Sequence, residues 1–115
     1  MISIGKDGSF GFNEPDSDYN IQNPHVAKLS NKMKEIFLPK FEYDIDKVPN
    51  YGITLGIENI MEAKKVLIIA SGKEKAVGIK SLFRGSPTKD IPISALRNHK
   101  GIVYVVADDD ACSLM

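Results

Sequence analysis

Three runs in the chain are apolar or β-branched with little polar alternation, at residues 51–55, 66–70 and 102–106. Such runs are expected of strands buried on both faces of a sheet. Between them the apolar positions return at helical spacing: Ile57, Ile60 and Met61 before Lys64, then Ala76, Ile79, Leu82 and Phe83 before Gly85. Gly85, with Pro87 beyond it, is a helix stop, and a third, shorter helix is predicted over residues 93–98. Strand, helix, strand, helix, helix, strand predicts an α/β fold, a mainly parallel sheet with flanking helices joined by right-handed crossovers.

The first half is patterned less strongly. Ile2, Ser3 and Ile4 form a short strand that breaks at Gly5 and Gly8, well below the ~5 to 6 residues usual for a buried strand, as in a fragment of a longer fold. Residues 13–24 are mostly Asn, Asp, Ser, Pro and Gln, which turn the chain by bonding its backbone, so a surface loop is expected there. A strand over 26–30 and a helix over 31–38 follow, the helix capped by Asn31 and ended near Pro39.

Composition narrows the class. A chain of 115 residues builds one domain with one core. Fifteen basic and fifteen acidic side chains cancel, and no Lys/Arg run makes the electrostatic footprint that nucleic acid requires, so no nucleic-acid partner is expected. The longest apolar stretch, 66–70, is far short of the ~20 residues of a membrane span, and no basic region followed by an apolar one marks export. Cys112 is the single cysteine, which suits a reducing compartment and predicts a cytoplasmic location. His25 and His99 lack ligand spacing, and Asp108 to Asp110 reads as a solvated terminus rather than a metal site.

Ligands of open α/β sheets bind beyond the carboxyl ends of the strands, and two turns there carry chemistry. The stretch from Gly5 to Pro15 holds Asp7, Ser9, Asn13 and Glu14. Asp7 and Glu14 could form an acid/base pair if the turn folds back, since neighbouring carboxylates push each other's proton affinities apart. Equally, Asp7 and Asn13 could bond only turn backbone while Glu14 stays solvated. The second turn, residues 71–75, offers free N–H groups, a helix start and two lysines, so it would fit a phosphate; the alternative is an ordinary turn with solvated lysines.

The residues Asp7-Gly8-Ser9-Phe10-Gly11-Phe12-Asn13-Glu14-Pro15 resemble the signature Gly-x-Asp-Gly-His-x-Gly/Ala-Phe-Asn-Glu-Pro of hexosamine-6-phosphate deaminases. The likeness continues through Val48-Pro49-Asn50-Tyr51-Gly52, the segment from Ile60 to Lys65, Ser71-Gly72-Lys73-Glu74-Lys75-Ala76, Ile93-Ser94-Ala95-Leu96 and Asp108-Asp109-Asp110. By these motifs the chain resembles the C-terminal half of the glucosamine-6-phosphate deaminase/isomerase family. The related 6-phosphogluconolactonases share the Asp-Gly-His portion but not the Phe-Asn-Glu-Pro continuation.

The resemblance implies a truncated, partly Rossmann-like deaminase/isomerase fold. The implied reaction opens the ring of glucosamine 6-phosphate, isomerises it through an enediol(amine) and releases ammonia, with no metal or organic cofactor. Asp7 and Glu14 match the carboxylates that orient and polarise the ring-opening histidine, and Lys75 matches the lysine that binds the sugar phosphate. Ser9 stands where the family has that histidine, and serine is a poor general base near neutral pH. A gap-free reading places Pro39 at the position of a phosphate-binding lid arginine, with Lys40 beside it to supply charge but no bidentate fork. The carboxylate that abstracts the C2 proton belongs to the family's N-terminal half. The expectation is therefore weak activity or none in this chain, with a non-catalytic sugar-phosphate-binding or interaction module as the alternative. The implied partners are a hexosamine 6-phosphate and either a second copy of the chain or a separate N-terminal half.

Overall fold

A computed structural model describes residues 4–15 and 23–115. Its strands are β1 (His25–Lys28), β2 (Tyr51–Thr54), β3 (Lys65–Ala70) and β4 (Ile102–Ala107), and its α-helices are α1 (Asn31–Phe37), α2 (Ile57–Met61) and α3 (Ala76–Phe83). Tighter 3-10 turns occupy Leu38–Phe41, Ile45–Lys47, Lys73–Lys75 and Pro92–Asn98.

The parallel pair β3–β4 anchors the α/β part, in register from Lys65 opposite Ile102 to Ala70 opposite Ala107. The connection between them runs through α3 and the Pro92–Asn98 segment, which pack on each other. One face of the pair meets the core of Phe10, Ile68, Ala70, Ile79, Ile93, Leu96 and Ala111. Val66, Val103 and Val105 pack against the same cluster.

Several expectations are corrected. The strands are not buried on both faces: along β3 and β4 every second side chain is exposed, because α3 and the Pro92–Asn98 segment cover one side only. β2 does not join the parallel sheet. It pairs antiparallel with β1, with Lys28 opposite Tyr51 and His25 opposite Thr54, since an apolar run carries no label for its pairing partner. The predicted third helix is 3-10, opening on Pro92 and closing with the His99 N–H on the Leu96 carbonyl, three residues back. The cap of α1 is Ser30, whose hydroxyl accepts from the Met33 N–H at 3.1 Å, rather than Asn31. Asn13 belongs to no surface loop: it is buried and bridges back to Phe10. Of the predicted first strand, Ile4 bridges Phe10, and Ile2 and Ser3 lie outside the described residues, as do residues 16–22 of the predicted loop.

Candidate functional site

The Gly5–Glu14 stretch folds into a tight knot before the chain leaves for β1. The Gly5 N–H donates to the Ser9 carbonyl at 2.8 Å and the Gly8 N–H to the Gly5 carbonyl at 3.1 Å. Gly8 sits at φ +77°, the left-handed region that favours glycine, and a Cβ there would lie 2.4 Å from Ile91. Asn13 ties the far end down, its Nδ2 donating to the carbonyls of Phe10 (3.1 Å) and Leu55 (2.9 Å). The Phe12 N–H donates to Thr54 Oγ1 at 3.1 Å. The knot is thereby fastened to the end of β2, and its polar side chains are presented to one side.

Asp7, Ser9, Glu14, Lys40 and Lys75 all line one open cavity of about 610 Å3, together with Lys6, Lys32 and Glu74. Asp7 accepts from the Ser9 N–H at 3.1 Å and from Lys32 Nζ at 2.9 Å. Burial pushes its carboxyl upward, but hydrogen bonds from Lys32 and from the Ser9 hydroxyl and N–H, with the Lys32 charge, outweigh it and lower the pKa to about 2. The bond to Asp7 and its charge in turn raise the Lys32 ammonium above its ordinary value. Ser9 is 2% exposed, with its hydroxyl committed to Asp7. Glu14 receives the N–H of Ser30 at 3.1 Å and its hydroxyl, so the carboxylate braces the same serine that caps α1. Lys75 Nζ donates to the Ile4 carbonyl at 2.9 Å and lies 3.3 Å from Glu74. Lys40 is exposed at the rim, 6.0 Å from the centre of the Phe37 ring.

The acid/base pairing of Asp7 with Glu14 does not form: each carboxylate has its own partners, Lys32 for one and Ser30 for the other. Lys32 is the residue that sequence reading missed. It stands on the first turn of α1, 25 residues from Asp7, and no spacing rule joins the two. Four lysines against three carboxylates around a concave surface suit an anionic ligand.

The turn at residues 71–75 is not an open phosphate site. Asp108 fills it: the Gly72 N–H reaches both carboxylate oxygens at 3.1 Å, Ser71 donates its hydroxyl, and the Ala111 N–H donates at 2.8 Å. The Ser71 hydroxyl first, then the Ala111 and Gly72 N–H groups, hold the Asp108 carboxyl below its usual range. Asp108, though exposed, is thus a hydrogen-bonded anchor of the turn rather than part of a free tail. Among the described residues no three His, Cys, Asp or Glu side chains converge as metal ligands, and no helix is long and apolar enough to cross a membrane.

No protein-family model matches the chain. All 115 residues are similar, at 36% identity, to a glucosamine-6-phosphate deaminase of Oenococcus oeni, covering 48% of that protein. Over 111 residues the chain is 38% identical to the glucosamine-6-phosphate deaminase of Oceanobacillus iheyensis, covering 43% of it. Among solved structures, a monomeric glucosamine-6-phosphate deaminase superposes with a TM-score of 0.82 at 34% identity, over 99% of this chain and 46% of that one. The 6-phosphogluconolactonase of Leishmania guyanensis superposes at 0.68 with 27% identity, over 96% of this chain and 38% of the enzyme. The chain spans a little under half the length of these relatives.

Proposed function

We propose that the chain is part of a protein of the glucosamine-6-phosphate deaminase family, that its lysine-lined cavity binds a hexosamine 6-phosphate, and that the chain alone releases little or no ammonia from it. The observation that carries the reading is the convergence of Asp7, Ser9, Glu14, Lys40 and Lys75, scattered over 69 positions of sequence, on one cavity. In this reading Lys75, Lys40 and Lys32 meet the phosphate, and Asp7 and Glu14 face the sugar.

Three features support the second part of the proposal, little or no turnover. No histidine lines the cavity, and the Ser9 hydroxyl is a poor base. Asp7, held at about 2, is an ionised acceptor at neutral pH, too acidic to be an efficient proton shuttle. These features favour a binding role for the isolated chain. Ring opening and proton abstraction then fall to groups in the half of the fold that the relatives have in addition. A free Cys112 and a sugar-phosphate ligand support a cytoplasmic placement.

Thermal unfolding with glucosamine 6-phosphate, alongside an ammonia assay, tests this. At about 100 times its dissociation constant a ligand adds about 2.7 kcal/mol, which for a domain of this size raises the midpoint by roughly 10 °C. Lys75→Gln keeps a donor for the Ile4 carbonyl but removes the charge, and should lose most of the shift. Absence of a shift at millimolar ligand, or a shift that Lys75→Gln leaves intact, refutes the binding site. Ammonia above the protein-free control refutes the claim of negligible turnover.

A further inference from the structure

Lys32 stands where its own helix disfavours it. The first turn of α1 holds no acidic side chain, and the positive end of the helix dipole repels a cation there. Two contacts hold the lysine in place regardless. Glu14 takes the N–H and the hydroxyl of Ser30, which pins the start of α1 to the knot, and the Lys32 ammonium reaches Asp7 Oδ2 at 2.9 Å. The hydrogen bond to Asp7 and its charge, with a smaller contribution from the charge of Glu14, hold that ammonium above its ordinary value. A cation therefore already stands against both carboxylates that face the sugar in the proposed binding role. Elsewhere in the cavity Glu74 lies 3.3 Å from Lys75.

A protonated amine on a ligand has donors only, and here it would meet another donor. To pair with Asp7 it would come within about 5 Å of the Lys32 ammonium, since both would touch one carboxylate, and like charges at that range repel. An uncharged group that accepts hydrogen bonds fares oppositely. An ammonium has three donors and Asp7 takes one of those of Lys32, so a hydroxyl or amide oxygen of the sugar can take another while a phosphate oxygen takes the third. We propose that Lys32 sets the ligand specificity of the cavity, favouring a sugar phosphate whose C2 substituent is uncharged and accepts a hydrogen bond over one that carries a protonated amine there. The inference rests on the reading of the cavity as a sugar-phosphate site and narrows the ligand within it: among hexosamine 6-phosphates, the favoured ones carry an uncharged nitrogen substituent such as an amide.

Isothermal titration calorimetry of the full chain with glucosamine 6-phosphate and with glucose 6-phosphate tests it, at about pH 6.5 where the amine is protonated. The two ligands differ only at C2. The expected result is tighter binding of glucose 6-phosphate by about tenfold, the lower end of what one like-charge contact imposes at a partly solvated site. Lys32→Gln should abolish or reverse the preference, because Asp7 is then open to the amine, and Lys32→Arg should retain it. Lys47→Gln removes the same charge outside the cavity, from the exposed pair with Glu42, and should leave the ratio unaltered. A ratio of two affinities on one variant is insensitive to lost stability, which weakens both alike. Equal affinities, a native preference for the amine, a preference that Lys32→Gln leaves intact, or one that Lys32→Arg or Lys47→Gln removes would each overturn the proposal while leaving the cavity a sugar-phosphate site. Binding of neither ligand would overturn both readings.

Discussion

Replacing Asp7 by Asn isolates the charge at the centre of the cavity. Asparagine keeps an Oδ1 to accept from the Ser9 N–H, but an Nδ2 donor replaces the Oδ2 that accepts from Lys32, so the charge and that hydrogen bond are both lost. The folded carboxyl sits at about 2 against an ordinary 3.8, so the folded state binds fewer protons than the unfolded one. The resulting stability is fully present above pH 3.8 and is lost as pH falls through about 2. At about 1.4 kcal/mol per pH unit, the ceiling at neutral pH is about 2.5 kcal/mol. The Lys32 side chain is 54% exposed, however, and solvent screening reduces the expected cost of Asp7→Asn to about 1 kcal/mol. With a urea dependence of about 2 kcal/mol per molar, the unfolding midpoint at pH 7 should fall by about 0.5 M. The gap between the native chain and the variant should close progressively from pH 4 towards pH 2. Lys32→Gln should shift stability in the same direction, and adding it to Asp7→Asn should cost little more, because the two share one interaction. A gap that persists unchanged down to pH 2.5, or none at pH 7, would refute the assignment of Lys32 as the partner that keeps Asp7 ionised.

Two further substitutions probe how the site is built. Ser30→Ala removes both the cap acceptor for Met33 and the donors' hydroxyl partner of Glu14; it should cost about 1 kcal/mol in urea unfolding, and an unchanged midpoint would show that the cap is idle. Gly5→Ala would place a Cβ 2.2 Å from Ser9 Oγ and 2.9 Å from Asp7 Oδ1; it should destabilise the fold by about 1 to 3 kcal/mol and reduce the thermal shift with glucosamine 6-phosphate, whereas full retention of both would mean the knot is looser than its contacts indicate.

What could be read from sequence follows from how local each feature is. The positions of β3, β4 and α3 are set by their own side-chain patterns, and they fall within a residue of expectation. Which face of a strand is covered is not local. Ile68 and Ile69 look alike in sequence, yet Ile68 is 4% exposed and Ile69 71%, because α3 reaches only one side. β2 misled for the same reason, its partner β1 being chosen by a register that no apolar run encodes. Asp7, Ser9 and Glu14 were legible as a compact motif and Lys75 and Lys40 as isolated charges, but Lys32 was not, since only the fold brings α1 over the knot.

The turn at residues 71–75 carries the same lesson into the chemistry. Its sequence reads as a phosphate cradle, and its geometry is one, but Asp108 arrives from 36 residues away and occupies the Gly72 N–H. A carboxylate already seated there would have to be displaced, against its own three hydrogen-bonding partners, before a phosphate could enter. The anion is therefore left to side chains on flexible stems. Lysines at such a site act as point charges without the planar fork of an arginine, so they attract a phosphate without fixing its orientation. In the proposed binding role orientation of the sugar would fall to Asp7 and Glu14, which are held through Lys32 and Ser30. In that role charge would collect the ligand and the braced carboxylates would position it, a division of labour that Lys75→Gln and Asp7→Asn separate, the first acting on affinity through charge and the second on orientation.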